Sequence, residues 1–162
     1  MKVVSFDQAT SISGYAVIED GEYKKSGTVT SCKKEGIEER FISMTKDLCK
    51  IIAEEDADCV VIEDVQQQVN KQTFKHLARL QGAILGYCGV NDIPCLVYPA
   101  TTWRRRLGFS QGQGVKRQGL KSQAIEYVKD NCKKNVKNDE ADAICIGLAA
   151  FADESANESE GK

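Results

Sequence analysis

Residues 58–64, Asp-Cys-Val-Val-Ile-Glu-Asp, form a short apolar run between two long segments with helical periodicity. A continuous run of this length, rich in β-branched residues, is typical of a strand that is buried on both faces. The flanking segments, 37–56 and 71–90, are predicted helices. A buried strand between two helices indicates a sheet that is covered by helices on both sides.

The other predicted elements complete this sheet. Further strands are predicted at residues 2–7, 14–20, 23–31 and 94–99, and further helices at 117–132 and 138–152. The Asp20-Gly21 pair is typical of a hairpin turn between the second and third strands. Three strands that can meander, followed by alternating helices and strands, predict a mixed five-stranded α/β sheet with helices on both faces. This is the ribonuclease H-like architecture.

Length and composition limit the classes of protein. The chain has 162 residues, which suits one domain, and we assign that domain to residues 1–152. Residues 153–162 are acidic and of low complexity, so we expect a disordered tail. No run approaches the ~20 apolar residues of a membrane helix, and the first apolar run meets Asp7 too soon for a signal peptide. We therefore expect a cytoplasmic protein, whose seven cysteines, without a Cys-x-x-Cys pair, are reduced thiols.

The net charge of −2 conceals a basic block. Residues 65–125 hold nine basic residues and one acidic residue, Asp92, which predicts a positive face that binds nucleic acid. The candidate DNA-binding side chains are Lys71, Lys75, Arg79, Arg104, Arg105, Arg106, Lys116, Arg117 and Lys121. We expect Trp103 to pack under the arginines that follow it. The alternative is that these charges only keep the surface soluble.

Four carboxylates are predicted to converge. Asp7 ends the first strand and Glu63 the fourth, and ligands gather at the carboxyl ends of parallel strands. Asp139 and Asp142 share one face of the last helix, whereas Glu140, like Asp64, should point away. Four oxygen donors without clustered His or Cys suit Mg²⁺ or Mn²⁺. The alternative is that the helix acids only interact with the helix dipole, behind an Asn138 N-cap.

Several motifs together resemble one family. Ser-Phe-Asp-Gln-Ala-Thr-Ser-Ile-Ser-Gly-Tyr (5–15), Val-Ile-Glu-Asp-Val (61–65), Leu-Lys-Ser-Gln-Ala-Ile-Glu-Tyr-Val (120–128) and Asp-Glu-Ala-Asp-Ala-Ile-Cys-Ile-Gly-Leu-Ala (139–149) are similar to motifs of RuvC-type Holliday junction resolvases, in the same order. The resemblance is to a divergent phage member of this family. Two positions depart from the family pattern: Gln8-Ala9 replaces a Pro-Gly pair, and Gln66 replaces a frequent aromatic.

The resemblance implies a structure-selective DNA endonuclease for Holliday junctions and related branched DNA. Asp7, Glu63, Asp139 and Asp142 would be catalytic and would bind two Mg²⁺ ions, for which Mn²⁺ can substitute. Lys121 would steady the scissile phosphate. Phosphodiester hydrolysis by symmetric nicks would leave 5′-phosphate and 3′-hydroxyl ends, in a bacterial cell or a phage-infected host.

The resemblance also implies a homodimer formed through the second long helix. Ala78, Gly82 and Gly86 make a small-residue stripe on that helix, and glycine in a helix costs about 1 kcal/mol relative to alanine. A close helix–helix approach would offset that cost, but packing of the stripe on its own sheet is an equal alternative.

Two other functions share these features. One alternative is a ribonuclease H that cleaves RNA–DNA hybrids, since such an enzyme also uses four carboxylates. The other is a non-catalytic scaffold that binds junctions. Residues 7–18 also resemble the phosphate-loop hairpin of an actin-like ATPase lobe, but that fold needs two such lobes and more than 162 residues.

Overall fold

The computed structural model describes residues 1–66, 70–112 and 117–152, with Arg117 described by its backbone alone. The strands are β1 (Lys2–Asp7), β2 (Ile12–Glu19), β3 (Glu22–Thr30), β4 (Cys59–Glu63) and β5 (Cys95–Tyr98). The helices are α1 (Ile37–Glu55), α2 (Lys71–Val90), α3 (Ala100–Arg106), α4 (Arg117–Cys132) and α5 (Asn138–Ala149). The predicted acidic tail, 153–162, lies outside the described residues.

The five strands form one mixed sheet in the order β3-β2-β1-β4-β5, which confirms the predicted fold class. β1, β2 and β3 pair antiparallel as a meander, while β4 runs parallel to both β1 and β5. Asp20 and Gly21 both have positive φ, 52° and 81°, between the paired residues Glu19 and Glu22. This is the backbone geometry of a tight two-residue hairpin that twists with its strands.

Each face of the sheet packs against its own set of helices. On β1, Val4 and Phe6 belong to a core that includes Met44 of α1 and Leu80 of α2. Val3, on the opposite face, belongs to a core with the helices that follow β5. Because successive strand residues point to opposite faces, the buried apolar residues of this central strand divide between the two cores.

α5 lies unusually close to the sheet. Ser5 in β1 donates a 2.7 Å hydrogen bond from Oγ to the carbonyl oxygen of Ala143. A Cβ built on Gly14 of β2 would overlap the carbonyl oxygen of Asp139. Glycine at this position therefore lets the first turn of α5 rest directly on the strand backbone.

The structure adds one helix that the sequence analysis missed. No element is predicted between the strand at 94–99 and the helix at 117–132, but residues 100–106 form α3, immediately after Pro99. Seven residues give too little periodicity to reveal a helix. No helix in the described residues has the length and apolar character needed to cross a membrane, and all seven cysteines are free thiols, as predicted.

Candidate active site

The ends of two parallel strands bring Asp7 and Glu63 side by side. Phe6 pairs with Ile62 in the β1–β4 register, and the next residue in each strand is the carboxylate. The side-chain amide of Gln8 donates from Nε2 to the carbonyl oxygen of Glu63 at 2.6 Å. Gln8, which departs from the family's Pro-Gly turn, thus ties the two strand ends together.

The first turn of α5 brings two more carboxylates to this edge. Gly14 pairs with Asp7 across β1 and β2, so the turn that rests on Gly14 lies beside Asp7. The helix is capped by Lys137, whose carbonyl oxygen accepts from the Ala141 N–H at 2.8 Å. The prediction of Asn138 as N-cap was therefore wrong by one residue.

Asp7, Glu63, Asp139 and Asp142 line one cavity of about 530 Å³. Lys121 of α4 and Arg104 of α3 line it as well. The structure therefore collects the four predicted carboxylates and the predicted lysine from four elements of the chain, β1, β4, α4 and α5. Their catalytic and metal-binding roles stay predictions.

Glu140 and Asp64 were both expected to point away from the four carboxylates, and only Glu140 does so. Glu140 accepts a 2.6 Å hydrogen bond from Ser26 Oγ on β3 and lies outside the cavity lining. Asp64 does line the cavity, and its Oδ1 accepts from Gln81 Nε2 at 3.2 Å. The expectation for Asp64 was wrong, because it lies just beyond β4, where strand alternation no longer sets its direction.

Burial and mutual repulsion disfavour the charged forms of these carboxylates. Burial is the largest cause that raises the pKa of Asp7 well above its ordinary value, followed by the charges of Asp142 and Glu63. Burial, and then Glu63, raises the pKa of Asp142 to about 6, with Arg104 and Lys121 opposing. Burial also raises the pKa of Glu63. The two nearby cations thus compensate the acidic cluster only in part.

No family model matches the chain, but curated relatives match it at low identity. The crossover junction endodeoxyribonuclease RuvC of Rickettsia akari is 27% identical over 150 residues, covering 90% of this chain and 94% of the relative. The RuvC of Halorhodospira halophila is 22% identical over 147 residues, covering 89% and 88%. The RuvC of Koribacter versatilis is 24% identical over 90 residues, so the chain spans about half of that relative's length, 54%.

Solved structures share the fold. T. thermophilus RuvC, in complex with a Holliday junction substrate, has a TM-score of 0.75 at 17% identity, covering 93% of this chain and 94% of that one. The fowlpox virus resolvase, in complex with substrate Holliday junction DNA, has a TM-score of 0.62 at 15% identity, covering 93% and 97%. The chain is related to the RuvC-type Holliday junction resolvases.

The donor set of this cavity fits a divalent cation. Four buried or half-buried carboxylates supply only oxygen ligands, which Mg²⁺ and Mn²⁺ prefer. Among the described residues, no three His, Cys, Asp or Glu side chains have the geometry of a formed metal site. Carboxylates that are not neutralised repel one another, and a cation between them removes that cost.

Metal-free stability should fall as pH rises, because the pKa of Asp142 is raised from 3.8 to about 6 on folding. The folded state binds this proton more tightly than the unfolded state, so the stabilisation is complete below about pH 4 and is lost as pH passes 6. One pKa unit corresponds to about 1.4 kcal/mol. We expect urea unfolding in EDTA to give a lower free energy of unfolding at pH 7 than at pH 4.5, a difference that shrinks in Asp142→Asn. Equal pH dependence in both proteins would contradict this.

Trp103 contributes a contact that sequence reasoning did not find. Its side chain is fully buried, and its indole Nε1–H donates to Glu63 Oε2 at 2.7 Å. The Arg104 guanidinium lies over the ring, 4.8 Å from its centroid. Packing beneath an arginine agrees with the sequence, whereas the bond to Glu63 depends on where α3 docks.

The three consecutive arginines separate in space. Arg104 lines the cavity, and Arg105 is exposed. Arg106 donates to Tyr98 Oη at 2.9 Å and to the Ala149 carbonyl oxygen at 3.2 Å. Because Arg106 is held by the protein itself, we leave it out of the proposed DNA-binding face.

The other predicted DNA-binding residues lie in different surroundings. Lys71, Lys75 and Arg79 are exposed on α2, and Arg79 is paired with Glu38 at 2.8 Å. Lys116 lies outside the described residues, as does the side chain of Arg117. Lysines 71 and 75 are therefore the clearest exposed cations on this helix.

The small-residue stripe of α2 faces away from the sheet. Leu80, Ile84 and Cys88 form its buried side. Ala78, Gly82 and Gly86 are exposed. Within the described part of the chain, nothing lies within 4 Å of a Cβ built on either glycine. The alternative that the stripe packs on its own sheet was therefore wrong.

Proposed function

We propose that this protein is a structure-selective endodeoxyribonuclease that resolves Holliday junctions by divalent-metal-dependent hydrolysis. The observation that carries the proposal is the meeting of Asp7, Glu63, Asp139 and Asp142 in one cavity of a RuvC-like fold. RuvC relatives are crossover junction endodeoxyribonucleases, and two structures of the same fold contain junction DNA.

The carboxylates and Lys121 would have different roles in the reaction. The four carboxylates would hold two Mg²⁺ ions, with Mn²⁺ able to substitute. When bound, such ions activate water and stabilise the leaving oxygen of a phosphodiester. Lys121 lines the same cavity and would steady the charge of the scissile phosphate. The products would carry 5′-phosphate and 3′-hydroxyl ends.

The deciding experiment is a nicking assay on an end-labelled four-way junction, beside a linear duplex and an RNA–DNA hybrid of matched sequence. We expect paired symmetric nicks in the junction alone, with Mg²⁺ and not with EDTA. Tight junction binding without nicks would establish a scaffold instead, and cleavage of the hybrid alone would establish a ribonuclease H. The phage origin and cytoplasmic location stay predictions of the sequence.

Lys75 should contribute to junction binding through a phosphate contact. Each phosphate contact steepens the salt dependence of binding by about 0.9 in the slope of log K against log salt. Lys75→Ala should weaken junction binding and make that slope shallower by about 0.9, the value for one phosphate contact. Fluorescence anisotropy between low and moderate salt measures both effects. Lys50→Ala is the matched control, since Lys50 is exposed on α1 and pairs with Glu54. An equal effect of both substitutions would argue against a defined binding face.

A homodimer is proposed through the exposed stripe of α2. A four-way junction presents two symmetric strands, and a two-fold dimer would present two cavities to them. Gly82→Arg should shift the protein from dimer to monomer in sedimentation velocity. Gly82→Ala leaves the monomer fold intact, because its Cβ meets nothing within the described residues. A monomeric wild-type protein at micromolar concentration would refute the dimer.

A further inference from the structure

Glu63 is held at both its backbone and its side chain. The Gln8 amide binds its carbonyl oxygen at 2.6 Å, and the Trp103 indole binds its carboxylate Oε2 at 2.7 Å. An indole N–H can only donate, and it donates a single hydrogen bond. The bond therefore occupies one carboxylate oxygen and leaves Oε1 free of this constraint.

The indole itself is fixed by aromatic packing. Trp103 meets Phe109 edge to face, with ring centroids 5.8 Å apart, and Phe109 meets Tyr127 at 5.5 Å in the same manner. Tyr127 lies on α4, the helix that also carries Lys121 into the cavity. A fully buried ring within such a chain cannot turn without disturbing the packing, so the direction of its N–H is set by the fold.

We propose that Trp103 is a positioning residue for the active site: its indole N–H orients the Glu63 carboxylate so that the remaining oxygen is presented to a divalent cation. The inference rests on the metal-dependent function proposed above. Carboxylate ligands of metals are themselves hydrogen-bonded, and loss of such a partner typically lowers metal affinity by about 10–100-fold. Glu63 lies at the end of β4, and Trp103 Nε1–H binds one of its two carboxylate oxygens.

The test is Mn²⁺ binding to the DNA-free protein, measured by electron paramagnetic resonance. Trp103→Phe keeps an aromatic ring but removes the donor, and we expect Mn²⁺ affinity to fall by about tenfold. Tyr127→Phe is the matched control, because it alters the same aromatic chain without touching the N–H, and its affinity should equal that of the wild type. In a Glu63→Gln background, Trp103→Phe should cause no further loss.

A second measurement does not require the Trp103 variant to fold. Trp103 is the sole tryptophan, so the wild-type protein gives one indole N–H resonance in a ¹⁵N correlation spectrum. We expect that resonance to shift on addition of Mg²⁺ and to move in Glu63→Gln, where a neutral amide replaces the charged acceptor.

The outcomes separate the inference from the function. Wild-type Mn²⁺ affinity in Trp103→Phe, an equal loss in the Glu63→Gln background, or an indole resonance indifferent to both Mg²⁺ and Glu63→Gln would each overturn the positioning role while leaving the nuclease proposal in place. A wild-type protein that binds no Mn²⁺ would overturn both.

Discussion

We expect Asp7→Asn to abolish junction cleavage while leaving junction binding in place. Burial is the largest cause that raises the pKa of Asp7, and the charges of all three other carboxylates, Asp142, Glu63 and Asp139, raise it further. The amide keeps the shape of the side chain but removes its charge, so a divalent cation loses a central ligand. Loss of a residue that only hydrogen-bonds to a metal ligand lowers activity by up to about 100-fold. Because Asp7 would be a ligand itself, we expect the cleavage rate to fall by more than that. Single-turnover cleavage and gel-shift binding of the same labelled junction measure the two effects.

The same substitution should also stabilise the metal-free protein, because it removes a buried charge that is repelled by its neighbours. Glu140→Gln is the control: Glu140 accepts from Ser26 outside the cavity, so its variant should cleave at a near-normal rate. Substantial cleavage by Asp7→Asn, or loss of cleavage by Glu140→Gln, would show that the four-carboxylate cavity is not the catalytic centre.

The second large effect is expected at Gly14, a residue that carries no side chain of its own. A Cβ there would overlap the carbonyl oxygen of Asp139, and both groups are backbone, so no side-chain rotation can relieve the contact. Gly14→Ala must push the first turn of α5 away from β2. Overpacking typically costs about 1–3 kcal/mol and occasionally more, and we expect the upper end of this range or beyond.

Activity should fall as well in the folded fraction of Gly14→Ala, because the displaced turn carries Asp139 and Asp142. A misplacement of about 1 Å in a catalytic group can cost about 10²-fold in rate. Gly89→Ala provides the control, since a Cβ on that α2 glycine meets nothing within 4 Å in the described residues. Urea unfolding and cleavage rates distinguish the two variants, and equal stability would contradict the close approach of α5.

Local pattern was sufficient for most elements of the fold. α2 and α4 begin and end where their apolar spacing predicts, and β4 follows from its continuous apolar run. Long amphipathic helices can be recognised from sequence, because burial of one face places apolar residues at every third or fourth position. α3 has only seven residues, of which Ala100 and Trp103 are buried. Its existence was therefore not readable from periodicity.

The candidate site divides in the same way. Asp7 and Glu63 were predicted from strand ends, and Asp139 and Asp142 from one helix face, because strand direction and helix angle are properties of local sequence. Asp64 lies one residue beyond β4, where neither rule applies, and the structure places it in the cavity lining. The small-residue stripe of α2 could face either the sheet or solvent until the docking of the helix was known.

The sequence by itself determined the order of the five strands and the four longer helices, the mixed sheet and the carboxylates that meet at its edge. Only the tertiary structure decided that Trp103 binds Glu63, that Arg104 lines the cavity while Arg106 binds Tyr98 and Ala149, and that Gly14 admits α5. The physical reason is the separation along the chain of the residues that interact. Periodicity and strand direction are set by neighbours in the chain, whereas a hydrogen bond across 40 residues, from Trp103 to Glu63, depends on how separate elements dock.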